Sequence, residues 1–216
     1  MIYDNIDDIK LNVLESSALQ IRINNNVYKL VHILCSSDNV NDNSQLIDVG
    51  KFRYNVWQEV INSELSIDKT YGEGIWLDEL DFIINSTRNF IIKTIDDDNI
   101  IGVARMTFHQ SFNDTRSRDL VIFKEYNGNN NDVIQSSVVD LGRLVIKKEF
   151  RGLGIAQFFN RLRISIAKQL NAKYVCVTAS NDNAIRLKKL GFMEINKIVY
   201  FDDRPLVPFH CLQLSI

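Results

Sequence analysis

The chain has 216 residues, of which 45% are apolar and 24% charged, and a formal net charge of -2 at pH 7. That length is enough to bury one continuous core, and the composition is that of an ordinary soluble globular protein. The near-neutral balance excludes a general nucleic-acid binder, which carries a basic excess.

Cys35, Cys176 and Cys211 are widely spaced and form neither a metal-ligand spacing nor a disulfide framework, so a reducing compartment is expected and no metal site. Met1 to Lys10 is polar and acidic, unlike a secretory leader, and no apolar run approaches membrane length. A cytoplasmic protein without membrane contact is therefore the expectation. The glycosylation-like triplets at Asn85 and Asn113 then count as chance matches.

Residues 1–44 read as a β-rich N-terminal extension, with short strands over Ile9 to Leu14, Leu19 to Ile23 and Val27 to Cys35. Asn24-Asn25-Asn26 makes the turn between the last two. Ser36 to Ser44 is polar and reads as a loop. Residues 45–216 read as the main domain. It opens with a helix whose stripe holds Leu46, Val49, Phe52 or Arg53, Val56, Trp57, Val60 and Ile61. Trp57 fits the core on this pattern. Ser66 to Gly74 is a polar loop leading into Trp76-Leu77-Asp78-Glu79-Leu80-Asp81. This acidic cluster reads as a solvated loop or helix start; as a site it would attract an amine.

Asn89 to Ile95 and Ile100 to His109 flank Asp96-Asp97-Asp98-Asn99 and predict an antiparallel hairpin. Its second strand places Val103, Arg105 and Thr107 on one face, and Ala104, Met106 and Phe108 on the other. A loop, a short helix over Asp119 to Tyr126 and a flexible connection over Asn127 to Asp132 follow. Val138 to Ile146 is a β-branched central strand. A long helix starts at Ile155 and carries Phe158, Phe159, Leu162, Ile166 and Leu170 at helical spacing. Lys173 to Thr178 is the next strand. Ser180 to Asn183 offers N-cap oxygens to a helix holding Ala184, Leu187 and Leu190, which Gly191 ends. Phe192 to Phe201 and Phe209 to Ile216 are the last strands, joined by a turn at 202–205. The order implies an α/β (α+β) domain with a mixed sheet and helices on both faces.

The chemistry concentrates in Asp140 to Gln157. A strand, a glycine-bearing loop and a helix start form a ready anion site, because the first-turn amides are unpaired and the helix dipole adds roughly half a positive charge there. Gly152 and Gly154 lack a Cβ and allow close approach, and Arg151 adds a charged fork. Gln157 stands where a dinucleotide fingerprint needs its third glycine, and no Gly-Lys-Ser/Thr is present to hold a triphosphate and magnesium. Between Arg143 and Lys173, eight Lys or Arg face one acidic residue, Glu149, which suits a phosphate-rich ligand.

Arg151-x-x-Gly154-x-Ala156 resembles the pyrophosphate loop of the GNAT superfamily of N-acyltransferases. The resemblance runs from about Phe52 to Ile216. It implies a mostly antiparallel sheet with the loop between central strand and long helix. It also implies that acetyl-coenzyme A or another acyl-coenzyme A is held by Arg151, Gly152, Leu153, Gly154, Ile155 and Ala156, with its pantetheine arm along Leu144, Val145 and Ile146. Asn181 to Phe192 resembles the family's second signature, in which Asn181 or Asn183 reaches the coenzyme arm. One departure stands out: Leu187 occupies the place of a tyrosine that protonates the leaving thiolate in many members. Arg53 and Trp57 on one helix, Asp78 and Asp81, and arginines 105 and 143 in neighbouring strands resemble the branch of acyl-homoserine-lactone and N-acyl amino acid synthases.

Acyl transfer needs a neutral amine, so a base must accept its proton. Asp140 is the first candidate, although it also reads as a surface carboxylate at a strand end; His109 is the second, although it also reads as structural. Arg143 and Arg105 can orient a substrate carboxylate, or instead pair with Asp78 or Asp81. Arg53, Trp57, Arg105 and His109 complete the expected acceptor site. The expected function is transfer of an acyl group, acetyl first, from acyl-coenzyme A to a small-molecule or peptide amine by a monomer or homodimer. A longer-chain N-acyl amino acid or lactone synthase, fed by acyl carrier protein or coenzyme A, and a non-catalytic acyl-coenzyme A sensor are the alternatives.

Overall fold

The computed structural model describes residues 1–13, 15–16, 18–35, 44–61, 74–114, 116–128, 130–201 and 204–216. The loops expected over 36–44 and 66–74 and the turn at 202–205 fall largely outside them. The elements run β1 (Ile2–Tyr3), α1 (Ile6–Val13), β2 (Ala18–Ile23), β3 (Asn26–Leu34), α2 (Ser44–Ile61), β4 (Thr87–Lys93), β5 (Ile100–His109), α3 (Arg118–Asn127) and α4 (Asn131–Ile134). Then follow β6 (Val138–Ile146), α5 (Ile155–Gln169), β7 (Tyr174–Ser180), α6 (Asn181–Lys188), β8 (Met193–Phe201) and β9 (Arg204–Ser215). The fold is mixed α/β with a mostly antiparallel sheet, as expected. Two compact units divide the chain: Met1–Arg105 with Arg143–Leu162, and Met106–Gly142 with Arg163–Ile216.

In the first unit the strand order is β1-β2-β3-β4-β5. β1 pairs parallel with β2, and β2–β3 and β3–β4 pair antiparallel. The β2–β3 hairpin closes on the Ile23↔Asn26 pair, leaving a two-residue turn in which Asn24 has φ +53. Asparagine tolerates that left-handed conformation better than most residues. One expectation is overturned here: Ile9 to Val13 is helix, not strand. Ile9, Leu11 and Val13 alternate like a strand, but Ile9 and Val13 also share a helical face and are both buried. The helical option wins because Asn5 accepts the Asp7 N–H at 2.9 Å and acidic Asp7 and Asp8 occupy the first turn. Val31, Val49, Val56, Ile91, Val103 and Val145 form a core in this unit. β5 is buried along most of its length, so the polar residues that share one of its faces, Arg105, Thr107 and His109, are removed from water.

In the second unit β7 pairs parallel with β6 and antiparallel with β9, and β9 pairs antiparallel with the edge strand β8. Phe112, Leu120, Phe123, Val138, Cys176, Ile195 and Cys211 form its core. Ser117 caps α3, and its hydroxyl accepts the Leu120 N–H. The stretch expected as a flexible connection over 127–132 instead ends in α4, because the Asn130 side chain caps the Val133 N–H.

His32 on β3 stacks on Phe90 of β4, with ring centroids 5.3 Å apart. Burial, reinforced by the charge of Arg88 and opposed by a hydrogen bond to the Val13 backbone, lowers its pKa to about 4. A histidine whose folded pKa is depressed favours the folded state in its neutral form. Its contribution is fully present above the unfolded value near 6.5 and is lost as pH falls towards 4. Urea midpoints measured from pH 7 to pH 4 are expected to fall by the equivalent of about 3 kcal/mol from this group, and His32→Leu is expected to flatten that slope.

Candidate active site

In the first unit α2 carries Arg53, which is fully buried. Its Nη1 donates to both Asp81 oxygens at 2.9 and 3.0 Å, and its Nη2 donates to Asn89 Oδ1 of β4 at 2.6 Å. Asp81 is fully buried too. It belongs to a short 3-10 turn, Glu79–Phe82, whose N-cap is Asp78. Asp78 accepts the Leu80 N–H, and Asp81 accepts the Asp78 N–H, each at 3.0 Å, forming a reciprocal capping box. The expectation of a solvated acidic cluster is therefore wrong. The two carboxylates point at arginines, and Trp76, Leu77 and Leu80 beside them are buried. Gly50 of α2 makes this approach possible, since a Cβ there would stand 2.6 Å from Ile75 Cγ2 and 2.9 Å from Leu77 Cγ.

Arg105 Nη1 reaches Asp78 Oδ1 at 2.5 Å and Asp81 Oδ2 at 3.2 Å. Arg143 donates Nε to Asp78 Oδ2 at 2.9 Å and a second bond from Nη2 to the same oxygen. The arginines expected in neighbouring strands thus meet on one aspartate. Arg143 sits at φ +52, so β6 is kinked where this side chain leaves it. Its guanidinium lies 4.4 Å above the Trp76 ring, and Trp76 stacks on Trp57 with centroids 5.4 Å apart. Burial alone would raise the Asp78 carboxyl, but Arg105 and Arg143 beside it hold it well below the usual carboxylate range. Burial also lowers the Arg53 guanidinium, with Asp81 opposing that shift. Among the described residues three arginines face two aspartates, and the most exposed of these cations is Arg143, whose side chain keeps 25% of its exposure against 4% for Arg105.

The loop after β6 follows a 3-10 turn over Lys148–Phe150 and passes through Gly152 at φ +83 and Gly154 at φ +89 into α5. Both glycines occupy the left-handed region, and nothing lies within 4 Å of a Cβ placed on Gly152. Arg151 is exposed, and its Nε donates to the Ile146 carbonyl at 3.1 Å. The first intrahelical bond of α5 is Phe158 N–H to Gly154 O at 2.9 Å, which leaves Ile155, Ala156 and Gln157 as the first-turn amides. The loop has the form the sequence implied. Its open space at Gly152 and its positive dipole end fit a diphosphate.

In the second unit Asp140 is only 3% exposed, so the surface-carboxylate alternative falls. Its Oδ2 accepts the Ser117 hydroxyl at 2.8 Å. Arg163 is buried, donates to the Gly142 carbonyl at 3.1 Å, and has its pKa pushed down by burial to about 9 against the opposing charge of Asp140. The β6–β7 ladder runs from Val138↔Tyr174 to Leu141↔Val177, so Leu144, Val145 and Ile146 lie beyond it. His109 is buried, with Nδ1 2.9 Å from Asp114 Oδ2, and Asp114 also accepts from Arg116; this histidine is held in an ion-paired loop. Asn181 and Asn183 open α6, whose N-cap is Ser180, with Asn181 exposed and Asn183 half-buried. Leu187 is fully buried, a packing residue where many relatives of the motif carry tyrosine.

Sequence reasoning passed over Asn89 and Ser117 and expected a solvated acidic cluster, while the helix start at Asp78 and the pairing of Arg105 and Arg143 with these aspartates were among its readings. The Asp78-x-x-Asp81 spacing was a usable signal, since it has the form of a capping box. Asn89 carries none beyond its place on a strand.

The cluster makes a stability prediction with a built-in order. Asp81→Leu strands a fully buried Arg53 and is expected to cost about 3–5 kcal/mol in denaturant unfolding. Arg53→Met is expected to cost less, because Arg105 still faces Asp81, and the double variant less than the sum of the two.

Residues 57–192, more than half of the chain, match the Acetyltransferase (GNAT) family. No curated protein sequence matches the chain. Among solved structures, it is similar to FeeM, an N-acyl amino acid synthase from uncultured soil microbes, at 10% identity and a TM-score of 0.54, over 87% of this chain and 91% of that one. It is also similar to a CoA-dependent acyl-homoserine lactone synthase, BjaI, at 12% identity and a TM-score of 0.58, over 88% of this chain and 83% of that one. A mosquito arylalkylamine N-acetyltransferase like 5b is similar at 13% identity and a TM-score of 0.58, over 87% and 100%. At these identities the structures speak for the fold alone. With the glycine loop in place between β6 and α5 and the match running from α2 through β4 to β7 and α6, the chain belongs to the GNAT acyltransferase family.

Proposed function

We propose that the chain transfers an acyl group from acyl-coenzyme A to a primary amine. The observation that carries this reading is the loop from Arg151 to Ala156, with its two left-handed glycines, exposed arginine and first-turn amides. Such a loop suits the diphosphate of coenzyme A, whose thioester supplies the activated carbonyl. The amine nitrogen forms the new C–N bond, the C–S bond breaks, the free thiol is released, and one amine proton passes to a base. Asp140 is the proposed base, acting through water. Its burial and its Ser117 hydrogen bond fix the carboxylate in one orientation. The main chain of β6 beyond Leu141, outside the β7 ladder, is the proposed seat of the pantetheine arm, and its N–H groups are the donors to the developing oxyanion. With leucine at 187, the thiolate is protonated by solvent rather than by a tyrosine.

A narrower reading of the acceptor is favoured by one further observation. The most exposed cation of the described arginine–aspartate cluster is the half-buried Arg143, which lies over the Trp76 ring. That arrangement suits an amine that also bears a carboxylate, such as an amino acid. Longer acyl donors than acetyl are part of this reading.

Thiol release from acetyl- and hexanoyl-coenzyme A, measured across amines with and without an α-carboxylate, tests both readings. Release above background hydrolysis is expected with at least one amine. Coenzyme A binding without any amine-dependent release would instead mark a sensor, and no binding would remove the proposal. Arg143→Gln is expected to raise KM about tenfold or more for carboxylate-bearing amines, which corresponds to a charged hydrogen bond of roughly 1.5–3 kcal/mol. The same variant leaves KM for a simple alkylamine unchanged if the acceptor reading is right.

A further inference from the structure

We propose that the N-terminal β2–β3 hairpin is part of the coenzyme site, with Asn24 as a positioning residue that aims the Gly154 amide at the diphosphate. This rests on the acyl-coenzyme A reading above. Asn24 Nδ2 donates to the Leu153 carbonyl at 2.9 Å, across 129 positions of sequence. A Cβ placed on Gly154 would stand 3.0 Å from that same nitrogen and 3.4 Å from Ile23 Cγ2, so the hairpin tip and the loop are in direct contact. The tip is rigid by construction. Its turn has two residues, it is closed by the Ile23↔Asn26 pair, and Asn24 holds φ +53 within it.

The consequence follows from peptide geometry. In a planar trans peptide the C=O and N–H point in opposite directions. Holding the Leu153 carbonyl towards the hairpin therefore turns the Gly154 N–H away from it. The peptide concerned joins Leu153 to Gly154, one residue after Gly152, in a stretch where glycines give the chain high conformational freedom and ordering it is costly. A tether at that carbonyl removes much of that cost before the ligand arrives. It also occupies the carbonyl oxygen, a negative dipole end that would otherwise compete for the space a diphosphate needs. Asn24 lies outside the stretch 57–192 that matches the family, so this support comes from the chain's own N-terminal segment.

Asn24→Gly keeps a residue that accepts positive φ and deletes the donor; Asn24→Asp keeps the shape and replaces the donor with a negative charge. The probes are coenzyme A and acetyl-coenzyme A, set against acetyl-pantetheine, which lacks the diphosphate. Calorimetry is expected to show coenzyme A affinity falling about two- to tenfold in Asn24→Gly and further in Asn24→Asp. KM for acetyl-coenzyme A should rise by the same factor at unchanged kcat, while KM for acetyl-pantetheine stays at the wild-type value. Unchanged affinity in both variants, or an equal loss with both donors, overturns the proposal. A wild-type chain that binds no coenzyme A overturns the underlying reading as well, and that result is separable because it appears before any substitution is made.

Discussion

Arg53 and Asp81 meet where neither has access to water; Arg53 is answered by Asp81 and Asn89, and Asp81 by Arg53, Arg105 and the Asp78 N–H. A charge in that position is tolerated only with its partners in place, so α2, the turn after Asp78, β4 and β5 are bound to one mutual arrangement. The rest of the first unit's chemistry hangs on that arrangement. Asp78 is held by the capping box that Asp81 completes, and Asp78 in turn gathers Arg105 and Arg143. What reaches solvent is the Arg143 guanidinium, backed by two stacked indoles. Oriented, partly desolvated cations of this kind recognise planar anions better than mobile lysines do.

The anion loop works by a different principle. In the proposed coenzyme site the main-chain amides, rather than any one side chain, would supply most of the attraction, and glycines 152 and 154 set the path of the loop. Such a site is as good as its preorganisation, because amides that have to be ordered on binding give back part of what they gain. The contact of Asn24 with Leu153 is thus more than a surface hydrogen bond. It links a hairpin near the chain's beginning to the proposed cofactor loop.

In the second unit hydroxyl–carboxylate pairs link strands to the start of α3. Ser117 serves at once as the cap of α3 and as donor to Asp140, and Thr178 of β7 donates to Asp119 in the first turn of the same helix. Two strands are therefore tied to one helix N-terminus by carboxylate–hydroxyl bonds, which leaves Asp140 little freedom to reorient. A fixed carboxylate is what a proton acceptor requires. Burial of Leu187 shows how the departure from the tyrosine pattern is accommodated, since the position packs instead of pointing to a reacting group.

The sequence by itself determined the elements with strong periodicity: the amphipathic α2 and α5, the Asp-rich β4–β5 hairpin, the β-branched β6 and the Gly152–Gly154 loop. Their signals are local, and local rules of spacing, capping and turn chemistry are enough to read them. Where two periodicities coexist, as at Ile9–Val13, pattern alone does not choose, and the Asn5 cap decides for helix. Tertiary structure alone decided between the open readings of Asp78 and Asp81 by burying them against arginines, and alone brought Asn89 to Arg53 and Asn24 to Leu153. Those outcomes depend on which segments, tens to more than a hundred residues apart, are brought within 3 Å. The cost of leaving a charge unpaired away from water is set by that neighbourhood and not by the residue's own place in the chain.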